Sequence, residues 1–269
     1  MPVNLSWENI IPEKHFTYSK IVQSSGHNGN QVKVTVCTDD TDVPHKFIHQ
    51  TPKLRIPFGL QENDSPNGIR YNASFSFPGV CKDEKTGKYT GGTDPKVLQY
   101  LEWMQSVESF NRQVARTECK DWFKKDLSME VIDTLYHSNL FPAKDETKYS
   151  PTFKTNIMAK KVGDTQQTQF TTKFYNLDQE EITFNDFHNG DEVVALLETS
   201  GLWFAGKQFG MSFRILQILV FERDTFKGCG INMEAYKDYM RVPRSITEGE
   251  GQDDEGPVAK KAKFNISIN

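Results

Sequence analysis

Rings and cations recur together in three stretches of the second half of the chain. Phe153, Lys154, Lys160 and Lys161 form the first, and Phe170, Lys173, Phe174 and Tyr175 the second. Trp203, Phe204, Lys207, Phe209 and Arg214 form the third. Flat rings stack on unpaired bases and Lys or Arg neutralises phosphate, so this mixture is the chemistry of holding a single-stranded nucleic acid. Residues 201–221 carry five aromatics, two cations and no acidic side chain. Burial in the core is the alternative for every ring, because it is the commoner fate of aromatics in strands. The alternative for the basic run is an ordinary solvated face.

Other reactive constellations are thin. His45 and His49 have the spacing of two metal ligands, with Cys37 upstream, but no fourth ligand follows at a familiar interval. Two surface histidines beside a strand are the other reading. Asp186 and Asp191 would have to be forced into the paired carboxylates of a metal-dependent nuclease. The glycines at 26 and 29, and at 228 and 230, lack the Lys-Ser/Thr of a phosphate-cradling loop. No nucleophile or zinc-protease motif is present, so no enzyme and no cofactor or metal are expected.

The 269 residues suffice for one large domain, and a formal net charge of −4 argues against a simply basic binder. The charge is unevenly spread. Residues 148–175 hold five lysines against one acid, whereas 178–192 hold six acids and no Lys or Arg. Four scattered cysteines, with no C-x-x-C pair, fit a reducing compartment better than a disulfide framework. No apolar run reaches membrane-spanning length and no signal-peptide pattern is read, so the expected location is intracellular, without a membrane partner.

The elements that must position these residues follow from periodicity. Alternation marks strands at 31–38 and 69–77, the latter with Tyr71, Ala73, Phe75 and Phe77 on one side. Residues 47–60 are extended but broken by Pro52 and Pro57. Residues 81–93 read as a polar, mobile loop. Between 94 and 127 the apolar positions Val97, Leu101, Met104, Val107, Phe110 and Val114 recur at helical spacing. Thr93 or Asp94 would cap this helix, and Pro95 falls in its first turn. A second helix is expected at 128–138. Strands resume at 152–161, 169–176, 182–184 and 192–199. A hairpin follows, with a short strand at 202–204, a turn at 205–208 and a long strand at 209–221. In that long strand Met211, Phe213, Ile215, Gln217, Leu219 and Phe221 would share one face. In the second stretch Phe170 and Phe174 share a face, leaving Lys173 and Tyr175 as the outward pair if that face is core.

The fold class expected is mainly β with a helical insertion: a Greek-key barrel of the oligonucleotide-binding kind, elaborated by extra strands and two helices. It would occupy residues 1–246, with the insertion at about 94–140. Residues 247–269 read as a disordered tail, acidic and then basic.

The run Gly201-Leu202-Trp203-Phe204-x-x-Lys207-x-Phe209-Gly210-Met211-Ser212-Phe213-Arg214, followed by Gln217-Ile218, resembles the C-terminal hallmark of the single-stranded DNA-binding proteins of nucleocytoplasmic large DNA viruses. The resemblance covers 148–221 most specifically, and Arg116, Cys119 and Trp122 in the helical segment are compatible with it. It implies an elaborated oligonucleotide-binding barrel that coats exposed strands during viral replication, recombination or repair, in a host cytoplasmic factory or the host nucleus. The expected partner is single-stranded DNA. The acidic tail resembles those through which such proteins recruit replication proteins, and self-association stays open. The expected contacts are Lys154, Lys160, Lys161, Lys173, Tyr175, Trp203, Phe204, Lys207, Phe209 and Arg214. The rival expectation is a non-enzymatic scaffolding protein of the virion or replication compartment.

Overall fold

The computed structural model describes residues 5–24, 29–38, 41–64, 68–162 and 167–221; the side chains at 41, 42, 161, 162 and 167 are not among those described. The expected tail at 247–269 and Cys229 lie outside these residues.

Five strands close into a ring: β1 (Leu54–Ile56), β2 (Arg70–Ser76), β3 (Thr152–Ile157), β4 (Asp191–Ala205) and β5 (Gln208–Val220). β2 lies antiparallel to β1 through Arg55 and Ser76, and to β3 from Thr152–Ser76 to Ile157–Tyr71. β3 runs parallel to β5 at Asn156–Arg214 and Ile157–Ile215. β5 is antiparallel to β4, and β4 returns to β1 at Asp191–Ile56 through Val193–Leu54. The circuit 1-2-3-5-4-1 is that of the oligonucleotide-binding barrel. Its interior is filled by the inward half of each alternation, including Ala73, Phe75, Phe153, Val193, Leu197 and Ile215, all fully buried. Burying each of the larger of these side chains contributes ~1.5–3 kcal/mol.

Further strands extend the barrel. Ile48–Gln50 and Asn30–Val32 pair with β4, Leu60–Asn63 with β2, and Leu140–Phe141 with β3. Lys173–Tyr175 runs parallel to β5. A separate sheet is built from Phe16–Tyr18, Val34–Thr38 and Thr41–His45.

The insertion holds α1 (Pro95–Thr117), α2 (Cys119–Phe123) and α3 (Met129–Leu135). Asp94 caps α1 by accepting the Lys96 N–H at 2.8 Å, with Pro95 in the first turn. Val97, Leu101, Met104 and Val107 are buried as expected, whereas Phe110 and Val114 are half-buried. The helical run does not continue unbroken to 127. It interrupts at Glu118 and stops at Phe123, where Lys124 takes a left-handed φ of 58°.

Several other expectations are corrected. Residues 192–199 and 202–204 form one strand, β4, with register shifts between Leu196 and Leu197 and between Thr199 and Gly201. The first of these shifts also breaks the alternation of β5: Ile215 and Ile218 are both buried, so Gln217 does not share the inner face of Ile215. Residues 31–38 divide between two sheets, and 81–93 contain the hairpin Val80–Lys82 with Tyr89–Gly91 rather than an unstructured loop. The expected strand at 182–184 is a 3-10 turn, Phe184–Asp186. His49 is no surface residue: it is fully buried, with Nε2 2.9 Å from the Tyr100 hydroxyl and its ring stacked on Phe47. Burial pushes its pKa down to about 3, so it is neutral.

Candidate nucleic-acid interface

Because Phe153, Thr155 and Ile157 point inward, Thr152, Lys154 and Asn156 stand on the outer surface of β3. Direct pairing carries that surface across the sheet. Lys154 lies opposite Ser74, and Asn156 lies between Asn72 and Arg214. Farther along β5, Gly210 is outward and pairs with Trp203 of β4, which pairs in turn with Gln31. None of β2, β3 and β5 contains an acidic residue.

The chain after α3 completes this face. Tyr136 bridges in parallel to Phe209, and the His137 N–H donates to the Phe209 carbonyl at 2.7 Å. The Lys154 N–H donates to the Asn139 carbonyl at 3.0 Å, and Phe141 pairs with Thr152. Phe141 therefore shares the outward face of Thr152 and Lys154. The rings of Trp203, His137 and Phe141 run in a row, with centroids 5.8 Å and 6.1 Å apart. Trp203 is half-buried, whereas the other three tryptophans are buried. Two carboxamide oxygens on this face, Asn72 Oδ1 and Asn139 Oδ1, are buried without a protein partner.

Glu108 of α1 holds the segment in place. Its buried carboxylate accepts the Ser138 hydroxyl at 2.8 and 2.7 Å and the Asn139 N–H at 2.8 Å. Burial outweighs these donors and raises its pKa above the ordinary glutamate range. At the other end of the face, Arg214 pairs with Glu198, which also takes Lys46 at 2.9 Å. Burial opposes ionisation of Glu198, but the hydrogen bonds from Lys46 and Arg214 prevail and lower its pKa. Two cations against one carboxylate leave this cluster positive.

The remaining expected contacts divide. Lys154 and Lys207 are exposed, with no carboxylate partner among the described residues. Lys160 is exposed on the hairpin Ala159–Val162 with Gln167–Phe170; Lys161 lies beside it on the same strand, opposite Thr168. Lys173 is tied to Glu181 at 2.5 Å, and Tyr175 next to it is half-buried. The acidic loop that adjoins the basic strand folds back onto it. Phe204 is on the opposite side of the hairpin from Trp203, stacked on Phe209. Phe209 is 0% exposed and packs against Phe123 and Tyr136, so this expected contact is a core residue. Phe153 and Phe174 are core as well.

His137, Phe141 and Asn139 escaped the sequence reading. They follow α3 in a segment without alternation, and only the long-range bridge from Tyr136 to Phe209 brings them here. Asp186 and Asp191 form no nuclease pair: Asp186 accepts the Thr183 N–H, and Asp191 accepts that of His188. Among the described residues no three His, Cys, Asp or Glu side chains gather as metal ligands, and no helix is long and apolar enough to cross a membrane.

Residues 96–228 match a family described as "Family of unknown function (DUF5871)". No curated protein matches the chain. Among solved structures, the chain is similar to gp2.5, a single-stranded DNA-binding protein encoded by bacteriophage T7, at 11% identity and a TM-score of 0.41, over 78% of this chain and 100% of that one. It is also similar to the single-stranded DNA-binding protein of bacteriophage Enc34 in complex with ssDNA, at 12% identity and a TM-score of 0.35, over 80% and 99%. At these scores, what the outer face binds has to be read from its own residues.

Proposed function

We propose that this chain is a non-enzymatic, sequence-tolerant single-stranded DNA-binding protein. Its outer face on β3 and β5, together with the β4–β5 hairpin, takes the strand. The observation that carries the reading is the row Trp203, His137 and Phe141, which leads from the β4–β5 hairpin to Lys154 on the acid-free strand β3. Bases stack on the rings while Lys154, Arg214 and Lys207 meet phosphates. A duplex, whose bases are already stacked, offers those rings nothing.

The finer reading follows from the residue pattern at 201–218: a protein that coats exposed strands in the replication, recombination or repair of a nucleocytoplasmic large DNA virus. Lys160, Lys161, Lys173 and Tyr175 belong to the outer part of the path, and Lys173 must leave Glu181 to take part. Titrating fluorescent oligo-dT and a matched duplex at two salt concentrations tests the proposal. Tight, salt-sensitive oligo-dT binding with weak duplex binding is expected. Binding to neither would transfer the case to a scaffolding role.

A further inference from the structure

The two faces of the hairpin tip differ, and the second carries a cleft of its own. Gln23, Asn30, Phe204 and Phe209 are consecutive cross-strand partners, so their side chains stand in one row on the face opposite Trp203. Phe204 stacks on Phe209, with centroids 5.6 Å apart and planes 12° from parallel. Trp122 and Phe123, at the end of α2, meet Phe204 edge-on at 5.5 and 5.6 Å. Above this row is a cleft of 280 Å³ whose lining includes Gln23, Asn30, Phe123, Phe204, Lys207 and Gln208.

We infer that this cleft receives one unpaired nucleobase of a bound strand, after the strand has passed round the hairpin tip from Trp203. The inference rests on the single-strand reading above and adds a second, separate base site to it. Four features favour a base. One wall is aromatic, with Trp122 and Phe123 edge-on to Phe204. Two carboxamides in the Phe204 row, Gln23 and Asn30, offer paired donors and acceptors of the kind that read base edges. The volume lies just under the range of drug-sized pockets, suiting one base rather than a larger ligand. No lining residue is acidic, and Lys207, exposed at the rim, meets the phosphate where the backbone turns. Trp203 and Phe204 are adjacent in sequence, so only the thickness of one strand separates the two sites.

The test is photocrosslinking of oligo-dT carrying 5-iododeoxyuridine to the full chain, with adducts mapped residue by residue. Adducts are expected at Trp203 on one face and at Phe123 or Phe204 on the other. Asn30→Asp, which sets a carboxylate in the rim at unchanged size, should remove the Phe123 and Phe204 adducts and weaken oligo-dT binding about tenfold, while the Trp203 adduct persists. Adducts at Trp203 without any at Phe123 or Phe204 would overturn the cleft and leave the single-strand reading standing. Cleft adducts that survive Asn30→Asp would overturn it too. Failure to bind oligo-dT at all would remove both.

Discussion

Trp203 lies across Gly210, its paired neighbour in the hairpin. A methyl group at position 210 would stand 3.1 Å from the indole Cζ2 and 2.5 Å from the carbonyl oxygen of His137. Glycine thus lets the ring lie flat and the 137–141 segment close against β5. Gly210→Ala should destabilise the fold by ~1–3 kcal/mol through overpacking and displace Trp203. Thermal melts and oligo-dT affinity, measured together, check this. Trp203→Ala should cost ~1–3 kcal/mol of binding if the ring stacks on a base. An effect confined to the melting temperature would make Trp203 a packing residue.

Lys154 and Lys173 are both exposed lysines on strands, yet Lys173 alone is held by a carboxylate, Glu181. Lys154→Gln is expected to weaken binding and flatten the plot of log affinity against log salt by roughly 0.7, the share of one phosphate on a single strand. Lys173→Gln should change that slope much less. Equal slopes for the two variants would mean that Glu181 releases Lys173 on binding.

Glu108 makes no contact with the proposed strand path but anchors Ser138 and Asn139. Glu108→Ala strands those donors, at ~1–3 kcal/mol for each buried one, and should loosen His137 and Phe141; Glu108→Gln should retain most of both functions. The pH dependence has a definite sign. With its pKa raised in the folded state, Glu108 holds a proton there at pH values where the unfolded chain has lost it. Its contribution to stability therefore falls as pH rises from the ordinary glutamate range through the folded value. Denaturation midpoints of wild type relative to Glu108→Gln should drop across that window, and a rising difference would contradict the assignment.

Glu198 behaves oppositely. Its lowered pKa means that its contribution is present above the ordinary glutamate range and lost as pH falls through the folded value. Glu198→Gln should lack this acid-side loss in denaturation curves. By relieving Arg214 and Lys46 of their shared anion, it should also steepen the salt dependence of oligo-dT binding.

Local pattern was enough for the elements whose surroundings are simple. The 69–77 alternation, a cap at Thr93 or Asp94 (Asp94 in the structure) and a turn at 205–208, which the structure narrows to Gly206–Lys207 with Gly206 at a φ of 60°, are all decided by near neighbours. What alternation cannot report is a bulge. The register shift at Leu196–Leu197 reverses which side chains of β5 face inward, so the faces read from the sequence are right before Ile215 and wrong beyond it. Nor can composition report pairing. The lysine-rich strand and the acid-rich loop that follows it look like separate surfaces, but a tight turn at 176–180 lays Glu181 on Lys173. Phe209 looks as available as Trp203 in the sequence; only the packing of α2 and α3 against one side of the hairpin tells them apart.

The account stands on a single outer face gripping unpaired DNA, and fluorescence anisotropy of labelled oligo-dT against wild type and the Lys154→Gln/Trp203→Ala double variant tests this most directly. The expected result is salt-sensitive binding by wild type, lost by more than tenfold in a double variant that still melts cooperatively. A folded double variant that binds oligo-dT as tightly as wild type would contradict it.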